Sequence, residues 1–165
     1  MKWRIEPLQA RHERDGFDCG DEALNQFLRR YARQQQSRNL NRTYVALGEG
    51  ENRVCGFYTV SAGSVGFLDL DPTLKLPRYP VPVMRIGRLG VDLGVQGRGL
   101  WQQLLADALG LAVASSEKVG IFAVVVDAKH DQAASFYRKL GFIACQDLAL
   151  TLYLPIQTLS NSLKQ

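Results

Sequence analysis

Ala23, Leu24, Phe27, Leu28 and Tyr31 recur at i, i+1, i+4, i+5 and i+8, the apolar stripe of an amphipathic helix. Asp21, just after the turn-forming Phe17-Asp18-Cys19-Gly20, stands where such a helix wants its N-cap. Ahead of it, Trp3 to Leu8 alternates weakly and predicts an edge strand. Thr43 to Leu47 and Val54 to Val65 are rich in β-branched and aromatic residues, with Gly48, Gly50 and Asn52 between them. They predict two antiparallel strands joined by a hairpin-like loop. Asp71-Pro72 opens a polar stretch with room for one helical turn, and Pro77, Pro80 and Pro82 enforce an extended approach to a strand over Met84 to Val91. Leu100, Leu104, Leu105, Ala108 and Leu111 mark one face of a long helix. The continuous apolar run Ile121 to Val126 suits a buried strand of the parallel type. Ala133 to Lys139 reads as a short helix closed by Gly141, and Phe142 to Leu154 as a last strand or strand pair. The order predicts a single α/β (α+β) domain over residues 1–165, with a mixed central sheet flanked by helices.

Composition narrows the function classes. The 165 residues are 46% hydrophobic and 22% charged, ordinary for a chain that buries one core. No apolar run reaches membrane-spanning length, and Met1-Lys2-Trp3-Arg4 leads into polar sequence, not a signal-peptide stretch. A cytoplasmic protein without membrane association is expected. Cys19, Cys55 and Cys145 are odd in number and widely spaced, so they suggest neither a disulfide framework nor a zinc site. With only His12 and His130, a His-based metal site or a Ser-His-Asp triad is not expected either.

The net charge is +4, and its placement is uneven. Between Glu22 and Glu49 there is no acidic residue, while Arg29, Arg30, Arg33, Arg38 and Arg42 fall in that stretch. Such a block is either a solvated helix face or a polyanion contact.

The chemistry concentrates in Arg88-Leu89-Gly90-Val91-Asp92-Leu93-Gly94-Val95-Gln96-Gly97-Arg98-Gly99-Leu100, where a strand runs through a glycine-bearing loop into a helix. A helix N-terminus offers free N–H groups and partial positive charge, and glycines let a phosphate come close to the backbone. The segment is physically a pyrophosphate cradle, with Arg98 adding charge. It lacks the Gly-Lys-Ser/Thr of a P-loop, and no Gly-x-Gly-x-x-Gly follows the first strand.

Gln96-Gly97-Arg98-Gly99 resembles the start of the acetyl-CoA motif of the GNAT acetyltransferases, (Gln/Arg)-x-x-Gly-x-(Gly/Ala). Ala133-Ala134-Ser135-Phe136-Tyr137-Arg138-Lys139-Leu140-Gly141-Phe142 resembles their Ala-x-x-Phe/Leu-Tyr-x-x-x-Gly-Phe signature. Two further stretches, Phe17-x-Cys19-Gly20-x-x-x-Leu24-Asn25-x-Phe27-Leu28 and Pro80 to Asp92, are similar to toxins paired with ribbon-helix-helix antitoxins. Those toxins acetylate the α-amine of aminoacyl-tRNA. The resemblance implies a GNAT fold with acetyl-CoA as co-substrate and no metal. Leu89, Gly90 and Val91 would hold the pantetheine arm, and Gln96, Gly97, Arg98, Gly99, Leu100 and Trp101 the pyrophosphate. It further implies aminoacyl-tRNA and an antitoxin as partners, and a homodimer. The arginine block then reads as an RNA contact. The chain departs from the family pattern at Trp101, where relatives carry Gly or Ala, and at His130, a position the resemblance assigns to the cofactor, where many carry Asn and where His can also hydrogen-bond.

Attack of an amine on a thioester needs few catalytic groups. An α-amine has a pKa of about 7.7–8.0, lower still on an aminoacyl ester, so no strong base is required; Asp92 and a water both remain open in that role. By resemblance Tyr137 donates a proton to the leaving thiolate, and the Gly90 or Val91 N–H would polarise the carbonyl. Two other readings stay open: acetylation of a small-molecule or peptide amine, and a non-catalytic binding module with its site closed by Trp101. If Trp101 belongs to the apolar arc of Leu104, Leu105 and Ala108, its side chain points to the sheet; otherwise it crowds the cradle.

Overall fold

The computed structural model describes residues 2–66, 69–146 and 148–163. A seven-stranded mixed sheet, in the order β1-β2-β3-β4-β5-β7-β6, carries the helices. The chain forms two compact units, residues 1–61 with 87–108 and residues 62–86 with 109–165.

In the first unit β1 (Trp3–Pro7) pairs antiparallel with β2 (Arg42–Gly48), and β2 with β3 (Val54–Val65). Between β1 and β2 lie α1 (Glu22–Gln26), a π-helical turn over Phe27–Tyr31, and α2 (Ala32–Ser37). Asp21 caps α1, its side chain accepting from the Leu24 N–H. The π turn moves the apolar stripe. The Ala32 N–H donates to the Phe27 carbonyl five residues back, so the wider turn brings Ala32 under the helix. Ala32 is fully buried while Tyr31, expected on the apolar face, is 48% exposed.

Phe57 on β3 meets Phe17 edge-on at 5.5 Å and stacks on Phe27 at 6.2 Å, the centre of this unit's core. The first half of α3 (Leu100–Ser116) lies tight against β3. A Cβ on Gly56 would sit 2.9 Å from Leu104 and 3.2 Å from the Gly90 carbonyl, so a side chain there would push helix and strand apart. This close seat brings the N-terminus of α3 next to the end of β4 (Val81–Val91).

In the second unit β4 pairs parallel with β5 (Ala123–Asp127), β5 antiparallel with β7 (Leu148–Pro155), and β7 antiparallel with β6 (Ile143–Cys145). Ala123 to Val126 are all buried, as their unbroken apolar run requires. Leu70, Val83, Val125 and Tyr153 build the core, and the Tyr153 hydroxyl accepts the Asp71 N–H at 3.1 Å. β4 begins at Val81, earlier than Met84, because Pro82 falls at the second position of the strand and keeps its carbonyl in play, accepting from the Phe122 N–H at 2.8 Å. α4 (Asp131–Lys139) follows β5, and a helix the sequence reading did not foresee, α5 (Ile156–Leu163), follows β7. Pro155 ends the ladder there, and Ile156 and Leu159 are buried. Among the described residues no helix is long and apolar enough to cross a membrane.

Candidate active site

In the first unit the end of β4, the loop after it and the first turn of α3 enclose a cavity of about 390 Å³. Leu89, Gly90 and Val91 form its strand edge; Gln96, Gly97, Gly99, Leu100 and Trp101 form the loop and helix end. These are the residues the sequence assigns to the cofactor, save His130, which belongs to the second unit, and Arg98, whose exposed side chain does not line the cavity. Gly97 and Gly99 adopt φ of 80° and 86°, a left-handed backbone that side chains disfavour. They fold the loop so that α3 opens at Leu100, and the first turn of this 17-residue helix supplies N–H groups for an anion. Gly90 is tight as well: a Cβ there would lie 3.3 Å from Cys19 Sγ and 3.4 Å from the Phe57 ring.

Trp101 is half-buried and lines the cavity. It is not among the fully buried residues with Leu104, Leu105 and Ala108. The cavity is open with Trp101 in its wall.

The opposite wall, from Cys19, Asp21 and Leu24, was not anticipated. These residues lie in the Phe17–Leu28 motif, yet nothing local in the sequence shows that the motif meets a loop more than seventy residues on. Asp92, one of the two candidates for a base, is buried, and both its oxygens are engaged: Oδ2 accepts the Asp18 N–H at 3.1 Å and Oδ1 the Gly94 N–H at 2.8 Å.

The second unit holds the other two assigned residues. Tyr137 on α4 is buried, edge-on to Phe142 at 5.3 Å and to Phe136 at 6.3 Å. Burial pushes its phenol up to about 12, so it stays protonated across the working range of pH. Gly141, with φ of 102°, ends the helix and lets the Phe142 N–H return to the Tyr137 carbonyl at 3.1 Å. His130 is the N-cap of α4: its Nδ1 accepts the Ala133 N–H at 3.2 Å. That bond gives the residue a local structural task besides the cofactor contact assigned from the resemblance.

Of the arginine block, Arg30, Arg33, Arg38 and Arg42 are exposed. Arg42 donates to Asn39 Oδ1 at 2.9 Å. Arg29 is turned inward and donates to the Phe17 carbonyl, so it braces the turn before α1. Among the described residues no group of three His, Cys, Asp or Glu side chains is placed to hold a metal ion.

Residues 39–144 match the model of the acetyltransferase (GNAT) domain. A tRNA-acetylating toxin of Mycobacterium tuberculosis is 38% identical over 128 residues, which cover 76% of this chain and 75% of the relative. A probable toxin TacT of Sinorhizobium fredii is 28% identical over 168 residues, covering 95% and 93%. Among solved structures, AtaT complexed with acetyl-methionyl-tRNAfMet superposes with a TM-score of 0.91 at 30% identity, over 98% of this chain and 99% of that one. A mutant AtaT bound to the C-terminus of the antitoxin AtaR and acetyl-CoA gives 0.86 at 29% identity, over 99% of both. With the glycine loop, the helix end and the Tyr137 signature in place, the chain belongs to the GNAT acetyltransferase family.

Proposed function

We propose that the chain is an acetyl-CoA-dependent N-acetyltransferase toxin that acetylates the α-amine of aminoacyl-tRNA in the cytoplasm, blocks translation, and is held in check by a ribbon-helix-helix antitoxin. The observation that carries the reading is the open cavity between the Leu89–Val91 edge and the Gly97–Gly99 loop at the start of α3. Two left-handed glycines and a helix N-terminus suit a pyrophosphate, and a long strand edge suits an amide-bearing pantetheine arm. The choice of acceptor rests on the tRNA-acetylating relatives, which match over most of the chain, and on four exposed arginines with no acid between Glu22 and Glu49. A homodimer is proposed on the resemblance alone, and light scattering on the purified chain reads it directly.

Acetyl-CoA supplies the activated acyl group. The amides of the loop and of the first α3 turn hold the pyrophosphate, and the Gly90 or Val91 N–H polarises the thioester carbonyl. The acceptor amine is neutral enough near pH 8 to attack without a strong base. By resemblance Tyr137, kept protonated by burial, hydrogen-bonds the sulfur as the C–S bond breaks, and the proton shed by the attacking amine passes through water to the thiolate, so that coenzyme A leaves as the thiol. The exposed arginines neutralise acceptor phosphates.

The test is incubation of the protein with acetyl-CoA and a mixture of charged tRNAs, followed by nuclease digestion and mass spectrometry. N-acetylaminoacyl-adenosine is the expected product. Acetylation of polyamines or peptides with every charged tRNA untouched would transfer the chain to the small-amine reading.

A further inference from the structure

The motif Phe17 to Leu28 has no role in the chemistry above, yet it supplies the second wall of the cavity through Cys19, Asp21 and Leu24. How that wall is held can be followed bond by bond. Asp92 Oδ2 accepts the Asp18 N–H at 3.1 Å, and the Leu93 N–H returns to the Asp18 carbonyl at 2.8 Å. The other Asp92 oxygen accepts the Gly94 N–H and so shapes the turn that leads into the glycine loop. Gln96 Nε2 donates to the Val91 carbonyl at 3.0 Å and reaches the Cys19 carbonyl at 3.4 Å.

From the other side Asn25, almost fully buried, accepts the Cys19 N–H at 2.9 Å and donates to Asp18 Oδ1 at 3.0 Å. The same Asp18 oxygen accepts the Gly20 N–H at 2.9 Å, and Gly20 takes φ of 87° to allow it. The Asp18–Gly20 turn is thus fixed at one end to the cofactor loop and at the other to α1. Neither Asp92 nor Asn25 lines the cavity.

We propose that Asp92 and Asn25 are positioning residues that set the width of the acetyl-CoA cavity by clamping the Asp18–Gly20 turn to the glycine loop. The inference rests on the acetyl-CoA reading of the cavity and not on the identity of the acceptor. It also takes Asp92 out of the role of base. A carboxylate whose oxygens each hold a backbone N–H in a buried site is spent on structure, and turning it to an amine would release both the wall and the loop.

Asp92→Asn keeps the shape and sets an NH2 group against one of two N–H donors. Asn25→Asp leaves Asp92 alone and sets a second carboxylate against Asp18. Calorimetry with acetyl-CoA and no acceptor is expected to show both variants weakened by roughly tenfold or more, the scale of one charge-assisted hydrogen bond. In turnover assays KM for acetyl-CoA is expected to rise by the same factor, with the shape of the pH profile of kcat unchanged. Loss of stability alone would lower Tm without changing the Kd of the folded fraction. If Asp92→Asn does not fold, Asn25→Asp reads the same clamp. Unchanged acetyl-CoA affinity in the folded variants would overturn the proposal. So would an Asp92→Asn protein with intact affinity, little turnover and a lost rising limb in its pH profile, the signature of a base. Failure to acetylate any charged tRNA leaves the calorimetric comparison intact, so the two readings fail separately.

Discussion

A phenol held at about 12 by burial is a weaker acid than the thiol that leaves. Full transfer of its proton would run uphill. Tyr137 therefore serves best by sharing its proton with the sulfur while negative charge builds there. Tyr137→Phe is expected to leave acetyl-CoA affinity within a few-fold and to cut kcat by roughly 10²-fold or more; equal turnover would remove Tyr137 from the mechanism. The pH dependence has a definite sign. Activity rises as the acceptor amine loses its proton, and the loss caused by Tyr137 ionisation comes only as pH rises through about 12. A falling limb near neutrality would have to belong to another group. Trp101 gives a second test at this scale, because it stands in the wall of the cavity. Wild type is expected to bind acetyl-CoA with a change in tryptophan emission, and Trp101→Phe to bind with most of that change gone, Trp3 remaining as a reference. If only Trp101→Gly binds, the indole blocks the site and the chain is a silent relative of working enzymes.

One step up, the first helical segment shows what periodicity reveals and where it stops. The stripe of Leu24, Phe27 and Leu28 and the Asp21 cap were legible, because each depends on residues within one or two turns. The π turn was not, since no residue type announces an i→i+5 bond, and it exchanged Ala32 for Tyr31 on the buried side. The glycine loop was legible because its function needs glycine at fixed positions; the clamp from Asp92 to Asp18 was not, because it joins residues far apart in sequence. The arginines separate by the same logic. Charge alone could not tell Arg29, turned inward to the Phe17 carbonyl, from Arg30, Arg33 and Arg38 in solvent. Replacing Arg30, Arg33 and Arg38 with Ala is expected to weaken tRNA binding. It should also reduce the slope of log K against log salt by about 0.7–0.9 for each phosphate that is no longer neutralised. Arg29→Ala is expected to lower Tm and leave that slope nearly unchanged. A slope unaltered in the triple variant would return these residues to a solvated face.

For the molecule as a whole the outcome to watch is growth. Every aminoacyl-tRNA whose α-amine is acetylated is lost to elongation, because that amine is the nucleophile of peptide-bond formation. A single turnover thus removes one charged tRNA, and even slow catalysis depletes a pool that turns over in each round of synthesis. Expression of the wild-type chain in bacteria is therefore expected to arrest growth, while Tyr137→Phe at equal abundance is expected to be tolerated. Co-expression of a small ribbon-helix-helix partner should restore growth of the wild type. The catalytic variant is the needed control, since a misfolded or aggregating protein also slows growth and would do so with either residue at 137. Normal growth in cells that hold abundant, folded wild-type protein able to bind acetyl-CoA would sink the toxin reading. The fold, the cavity and the acetyltransferase family would then point to an amine acceptor other than aminoacyl-tRNA.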